Sequence, residues 1–130
     1  MRDLFWLALG CAAGGMARHW LAGVVGRAAG GDFPWGTLAV NAGGALAIGV
    51  VAGLAAAGHP WFSDADVWRV AVIGFLGSYT TVSSFSLQTL ALAQAGDRRR
   101  ALGNVVLSLG LCLPAAALGL LAGTGLAVWT

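Results

Sequence analysis

The sequence predicts an all-α membrane protein with four transmembrane helices, the third of which is broken. Hydrophobic residues make up 58% of the 130 positions and charged residues only 9%, unlike a water-soluble domain. One helical span needs about 20 apolar residues, so there is room for roughly four spans joined by short loops. The break is expected in GFLGSYTTVSSFSLQT, from Gly74 to Thr89, because this stretch places glycines and hydroxyls inside an apolar run.

The first span is predicted over residues 4–26. Gly10, Gly14 and Arg18 recur at four-residue intervals, so they share one face, and small residues on that face allow a neighbouring helix to approach closely. Arg18 would then point into protein, where a mid-membrane charge costs about 2.5–3.5 kcal/mol and needs a partner or water. The alternative is that Arg18 lies near the interface and reaches the headgroups.

The second span is predicted over residues 34–57. Asn41 begins a series at four-residue intervals that includes Ala45, Gly49 and Gly53. This spacing places its amide on a close-packing stripe of the helix and away from lipid. Two roles are open to a buried asparagine in this position. It can join two helices, or it can line a polar passage.

The third span is predicted over residues 66–94, which is longer than a bilayer core requires and leaves length for a break. Gly77 and Thr80 are among the residues at the expected break, where freed carbonyl oxygens could hold an ion. The fourth span, over residues 101–129, carries a polar stripe that includes Asn104 and Ser108.

Charge counting leaves the orientation of the chain open. Four spans would place Arg2, Arg69 and the 58–65 loop on one side, and Arg27 and Arg98–Arg100 on the other. Two arginines against four is a weak bias, and orientation follows this asymmetry. A chain that inserts both ways can pair antiparallel with itself, which would give two equivalent copies of any site.

Neutral donors in the predicted membrane interior favour passage of a small anion over catalysis. HExxH, CxxC, GxSxG and P-loop patterns are absent, and the net charge of +2 is better explained by lipid headgroups than by nucleic acid. Apart from Asp66 near a span end, the interior lacks the carboxylates that a proton-coupled or cation pathway uses. Hydroxyls and amides can replace the water stripped from an anion. These donors are Asn41, Thr80, Thr81, Ser83, Ser84, Ser86, Gln88, Asn104 and Ser108.

Three segments resemble the Fluc (CrcB) family of bacterial fluoride channels, and the likeness covers nearly the whole chain. They are GGMAR from Gly14 to Arg18, WGTLAVNAGG from Trp35 to Gly44, and the most specific, GFLGSYTTVSSFS from Gly74 to Ser86. The resemblance implies an antiparallel dual-topology homodimer in the bacterial inner membrane, with two pores that export fluoride passively. It also implies a central structural Na⁺ that is not transported.

The resemblance assigns roles to particular residues. The carbonyls of Gly77 and Thr80 of both subunits would bind Na⁺, as suits a hard cation. The expected fluoride pore contains Arg18, Asn41, Thr81, Ser83, Ser84, Phe85, Asn104 and Ser108. In the family, Asn41 and Phe85 match pore-lining positions, and the polar track of span four falls on Asn104 and Ser108.

Two positions depart from the family pattern. Val82 stands where the family usually has a second phenylalanine, and Gln88 stands where a glutamate is common. A working homodimer and the altered, non-conducting half of a heterodimer are both compatible with these changes. A small dual-topology multidrug exporter matches in size, but it would need a membrane-embedded acid for proton coupling, and the first span has Arg18 instead.

Overall fold

The computed structural model describes residues 2–127, and helices account for nearly all of that range. Seven α-helices follow in order, with a π-helical segment at Arg69–Leu76 between the fourth and fifth. Their bounds are α1 Arg2–Ala29, α2 Trp35–Ala56, α3 Pro60–Ser63, α4 Ala65–Trp68, α5 Gly77–Tyr79, α6 Val82–Gln94 and α7 Arg98–Leu126.

Four helical stretches cover the residue ranges of the four predicted spans, with shifted ends. The fourth begins at Arg98 rather than at residue 101, because the Asp97 side chain accepts a hydrogen bond from the Arg100 N–H and caps α7. The predicted end of that span at residue 129 lies outside the described residues. The 58–65 stretch, expected as loop, contains the short helix α3, whose first residue is Pro60.

Three helical stretches within residues 2–127 are long and apolar enough to cross a membrane. They are Trp35–Ala56, Ala65–Gln94 and Arg98–Leu126. The chain is therefore an all-α protein of the integral membrane class. Helix α1 has 28 residues, enough to span, but its composition is less apolar because it contains Arg18, His19 and several glycines.

Helices α2 and α7 pack with their backbones in close approach. Gly49 and Gly53 of α2 face Gly119 and Gly123 of α7, and all four are buried. A methyl group on Gly119 would overlap the Leu46 carbonyl oxygen, and one on Gly49 would overlap that of Ala116. The predicted close-packing stripe of the second span is thus confirmed.

Helix α1 packs on the third helical stretch through its own glycines. A methyl group on Gly10 would lie 2.7 Å from the Val70 carbonyl oxygen, and one on Gly14 would overlap the Phe75 carbonyl oxygen. The predicted small face of the first span is therefore confirmed. The face continues to Arg18, which is partly buried.

The third stretch is broken, as predicted, although not at its glycines. Thr80 (φ −75°, ψ 156°) and Thr81 (φ −150°, ψ 117°) are extended, and the helix resumes at Val82. Gly74 remains helical, and a methyl group on it would lie 3.2 Å from the Leu7 carbonyl oxygen. That glycine therefore serves the packing of α1, and the break lies on the threonines.

Candidate functional site

The break is held by Asn41 of α2. Its Nδ2 donates to the Thr81 carbonyl oxygen at 2.9 Å, and the Thr81 N–H donates to Asn41 Oδ1 at 2.8 Å. One amide side chain therefore pairs with both backbone groups of an extended residue, as a neighbouring β-strand would. A primary amide has two N–H donors, so the second N–H of Asn41 lies outside this pair.

The Thr81 hydroxyl is hydrogen-bonded to two serines that follow it, Ser83 and Ser84. Thr81 is 7% exposed, and its Oγ1 accepts the Ser84 N–H at 3.2 Å as the N-cap of α6. The same hydroxyl donates to Ser84 Oγ at 3.2 Å and lies 3.1 Å from Ser83 Oγ. A hydroxyl has one proton, so the bond with Ser83 must be donated by Ser83, and the Ser84 proton remains available.

These hydrogen bonds divert two amides from their helical partners. In a continuous helix the Thr81 N–H would bond to the Gly77 carbonyl, and the Ser84 N–H would bond to the Thr80 carbonyl. The first N–H instead donates to Asn41, and the second donates to the Thr81 hydroxyl. The two carbonyls that lose these helical donors, those of Gly77 and Thr80, are the ones that the family resemblance implies as cation ligands.

A cavity of about 310 Å³ brings three predicted pore residues together. Arg18, Thr81 and Ser84 all line it, so a guanidinium and two hydroxyls share one space. Its other lining residues are His19, Ala22, Thr37 and Gln88.

Thr37 and His19 are site residues that the sequence reasoning missed. Thr37 is 7% exposed and lies four residues before Asn41, so the spacing on α2 could have identified it. Gln88 was expected as one of the neutral donors and as a departure from the family pattern. It lines the cavity, and its buried Oε1 has no hydrogen-bond partner among the described residues.

A second cavity, of about 470 Å³, shares Ala22, Thr37 and Gln88 with the first. Its remaining wall includes residues 31–34 of the α1–α2 loop and Ala95 at the end of α6. The two cavities together lead from the broken helix to the loops at one end of the bundle. Arg100 lies at that end, 4.0 Å from Asp32 and 3.3 Å from Asp97.

The remaining predicted pore residues lie apart from this cavity. Asn104 is 2% exposed and donates to Thr89 Oγ1 at 2.8 Å, and that hydroxyl donates to the Phe85 carbonyl at 2.7 Å. Phe85 and Ser108 are partly buried and line neither cavity. Within one chain, Asn104 therefore joins α7 to α6 and anchors the turn that carries Phe85.

Comparison with known proteins gives a consistent result. A family model described as "CrcB-like protein, Camphor Resistance (CrcB)" matches residues 5–120. The chain is 58% identical to "Fluoride-specific ion channel FluC 2" of Rhodopseudomonas palustris (strain BisB18), covering 98% of this chain and 97% of that protein. It is 49% identical to "Fluoride-specific ion channel FluC" of Paramagnetospirillum magneticum (strain AMB-1), covering 91% and 92% respectively. The chain belongs to the CrcB family.

Proposed function

We propose that this chain is a fluoride-specific ion channel that lets cytoplasmic F⁻ leave the cell passively and so relieves fluoride toxicity. The observation that carries the proposal is the cavity at the broken helix that Arg18, Thr81 and Ser84 all line. The similarity to relatives named fluoride-specific ion channels, over nearly the full chain, supports it. Such a channel moves an ion without chemical conversion, so no catalytic residue is assigned.

The residues in the cavity fit a small, strongly hydrated anion. Arg18 attracts the anion, and donors such as the free proton of Ser84 replace the water that it loses. Hydrogen bonds to a charged group contribute about 1.5–3 kcal/mol each, net of the bonds to water that they replace, so a few donors favour entry of the anion. HF that diffuses into the cell dissociates, and a negative-inside potential drives the F⁻ outward.

The assembly that we propose is an antiparallel homodimer of four-span chains in the bacterial inner membrane. The weak arginine bias permits both orientations. Among residues 3–127, 25 large hydrophobic side chains are exposed, and the buried apolar core consists of Leu38, Val40, Val72, Leu76 and Ala101. Lipid and a second copy would together cover that surface. Val82 is 77% exposed, so a partner would be needed to enclose the face on which it lies.

A structural Na⁺ at the break is part of the proposal, and the donor set fits it. Among residues 2–127, His, Cys, Asp and Glu form no group of three or more that could hold a metal. A cation would therefore depend on carbonyl oxygens, the ligands that a hard cation prefers. The carbonyls of Gly77 and Thr80 have lost their helical donors, and Gly77 is exposed on the surface of the chain. When bound, the ion would supply positive charge that neutralises those oxygens.

Purified protein in liposomes tests the function. With F⁻ and K⁺ loaded inside, adding a potassium ionophore should release fluoride rapidly, because K⁺ efflux removes the opposing potential. A fluoride electrode records the release. Matched liposomes loaded with chloride should retain it. Equal chloride release, or retention of both ions, would reject the channel.

Dual topology can be tested by labelling a single cysteine. Ser63→Cys lies in the exposed α2–α4 connection, and Cys11 and Cys112 would be replaced by alanine. A membrane-impermeant maleimide added outside intact cells should label about half of the chains, as expected for two equally used orientations. Permeabilised cells provide the full-labelling control. Complete labelling, or complete protection, in intact cells contradicts dual insertion.

A further inference from the structure

We infer that Asn41 is a positioning residue for the cation site, because its side-chain oxygen keeps the Gly77 carbonyl free to bind a cation. This inference rests on the proposed Na⁺ site and goes beyond the expected pore role of Asn41. It arises from the pairing of Asn41 with both backbone groups of Thr81, 40 residues further along the chain.

The Thr81 N–H has two possible acceptors, the Gly77 carbonyl and Asn41 Oδ1. Thr81 lies four residues after Gly77, which is the spacing of a helical hydrogen bond. Without an acceptor on α2, its N–H would therefore donate to the Gly77 carbonyl. The Thr80 N–H already donates to the Leu76 carbonyl at 3.0 Å, so helical bonding extends up to the residue before Thr81. Asn41 Oδ1 accepts the next N–H at 2.8 Å and stops the propagation. The Gly77 oxygen is thereby left for another partner.

The same amide links the two sides of the break. Its Oδ1 accepts the Thr81 N–H and so leaves the Gly77 carbonyl free for the cation. Its Nδ2 donates to the Thr81 carbonyl and so places the Thr81 hydroxyl at the cavity. Loss of the oxygen should weaken cation binding, and loss of the nitrogen should mainly disturb the anion cavity. Two substitutions separate these effects.

Asn41→Leu has a similar size and no acceptor, so the Thr81 N–H can turn to the Gly77 carbonyl. Asn41→Asp keeps an oxygen acceptor for that N–H in either protonation state. We expect the apparent affinity for Na⁺ to fall about tenfold or more in Asn41→Leu and to stay within about threefold of wild type in Asn41→Asp. These changes correspond to the loss or retention of one carbonyl ligand.

The measurement is the Tm of the purified protein as NaCl replaces choline chloride at constant ionic strength. A ligand that binds only the folded state raises Tm with concentration, so the midpoint of the rise reports affinity without any flux assay. Asn104→Leu is the matched control, because it removes another buried amide that bonds to Thr89, away from the break. Its Na⁺ midpoint should equal that of wild type.

A wild-type midpoint in Asn41→Leu would overturn the inference. A wild-type Tm that does not change with Na⁺ would overturn both the cation site and the inference. The fluoride efflux assay would still test the channel function separately. If Asn41→Leu does not fold, hydrogen exchange in the wild type decides. The Thr81 amide should be protected in Na⁺-free buffer, and rapid exchange there would refute its bond to Asn41.

Discussion

Replacing Thr81 with valine should slow fluoride efflux by about 10- to 100-fold. Valine has nearly the same shape but lacks the hydroxyl that donates to Ser84 Oγ and caps α6. Without that donor, the Ser84 proton is free to turn back to the Thr80 carbonyl, four residues earlier, and the cavity loses a donor to the anion. One hydrogen bond to a charged group contributes about 1.5–3 kcal/mol, and 1.4 kcal/mol is a factor of ten.

The liposome assay measures this effect, and Tm separates it from unfolding. Loss of the cap should lower stability by only about 1 kcal/mol. Thr124→Val is a matched control, because the Thr124 hydroxyl bonds only to the Leu121 carbonyl of its own helix. Unchanged efflux in Thr81→Val would remove the Thr81 hydroxyl from the conduction pathway.

Gly119→Ala should destabilise the protein by about 1–3 kcal/mol, the usual cost of overpacking a tight contact. Its methyl group would overlap the Leu46 carbonyl oxygen and lie 2.9 Å from the Val50 nitrogen, so α2 and α7 must separate. Backbone atoms cannot move aside as a flexible side chain can. Thermal unfolding in detergent, with the yield of folded protein, gives the measurement.

The same substitution at Gly110 supplies the control on α7. A methyl group there meets nothing within 4 Å, and alanine is a better helix former than glycine by up to about 1 kcal/mol. Gly110→Ala should therefore leave stability unchanged or raise it. If the two variants unfold alike, the close approach of α2 and α7 does not hold the fold together.

The existence of the break and the stretch that contains it could be predicted from the sequence, but not that Thr80 and Thr81, rather than the glycines, are its extended residues. Hydroxyls and glycines inside an apolar run indicate that a membrane helix is interrupted, since lipid cannot satisfy free backbone groups. Which residue becomes extended depends on Asn41, which lies 40 positions away and accepts the Thr81 N–H. The extended residue is therefore determined by a tertiary contact, which the local sequence propensity does not encode.

The close-packed helix faces were predictable because four-residue spacing places small residues on one side. Gly49 and Gly53 show this directly, since both contact α7. The cavity was only partly predictable. Arg18, Thr81 and Ser84 were expected at one site, but Thr37 and His19 enter its wall through the packing of α1 against α2. The sequence alone does not specify which turns of two helices meet.

The groups that set the shape of the broken segment have a consequence for bacteria in acidic surroundings. Asn41, Thr81, Ser83 and Ser84 form its hydrogen bonds through amides, hydroxyls and peptide groups, none of which titrates between mildly acidic and neutral pH. Low external pH converts fluoride to membrane-permeant HF and increases its entry. The broken segment would therefore keep its hydrogen bonds at low external pH, where fluoride entry is greatest.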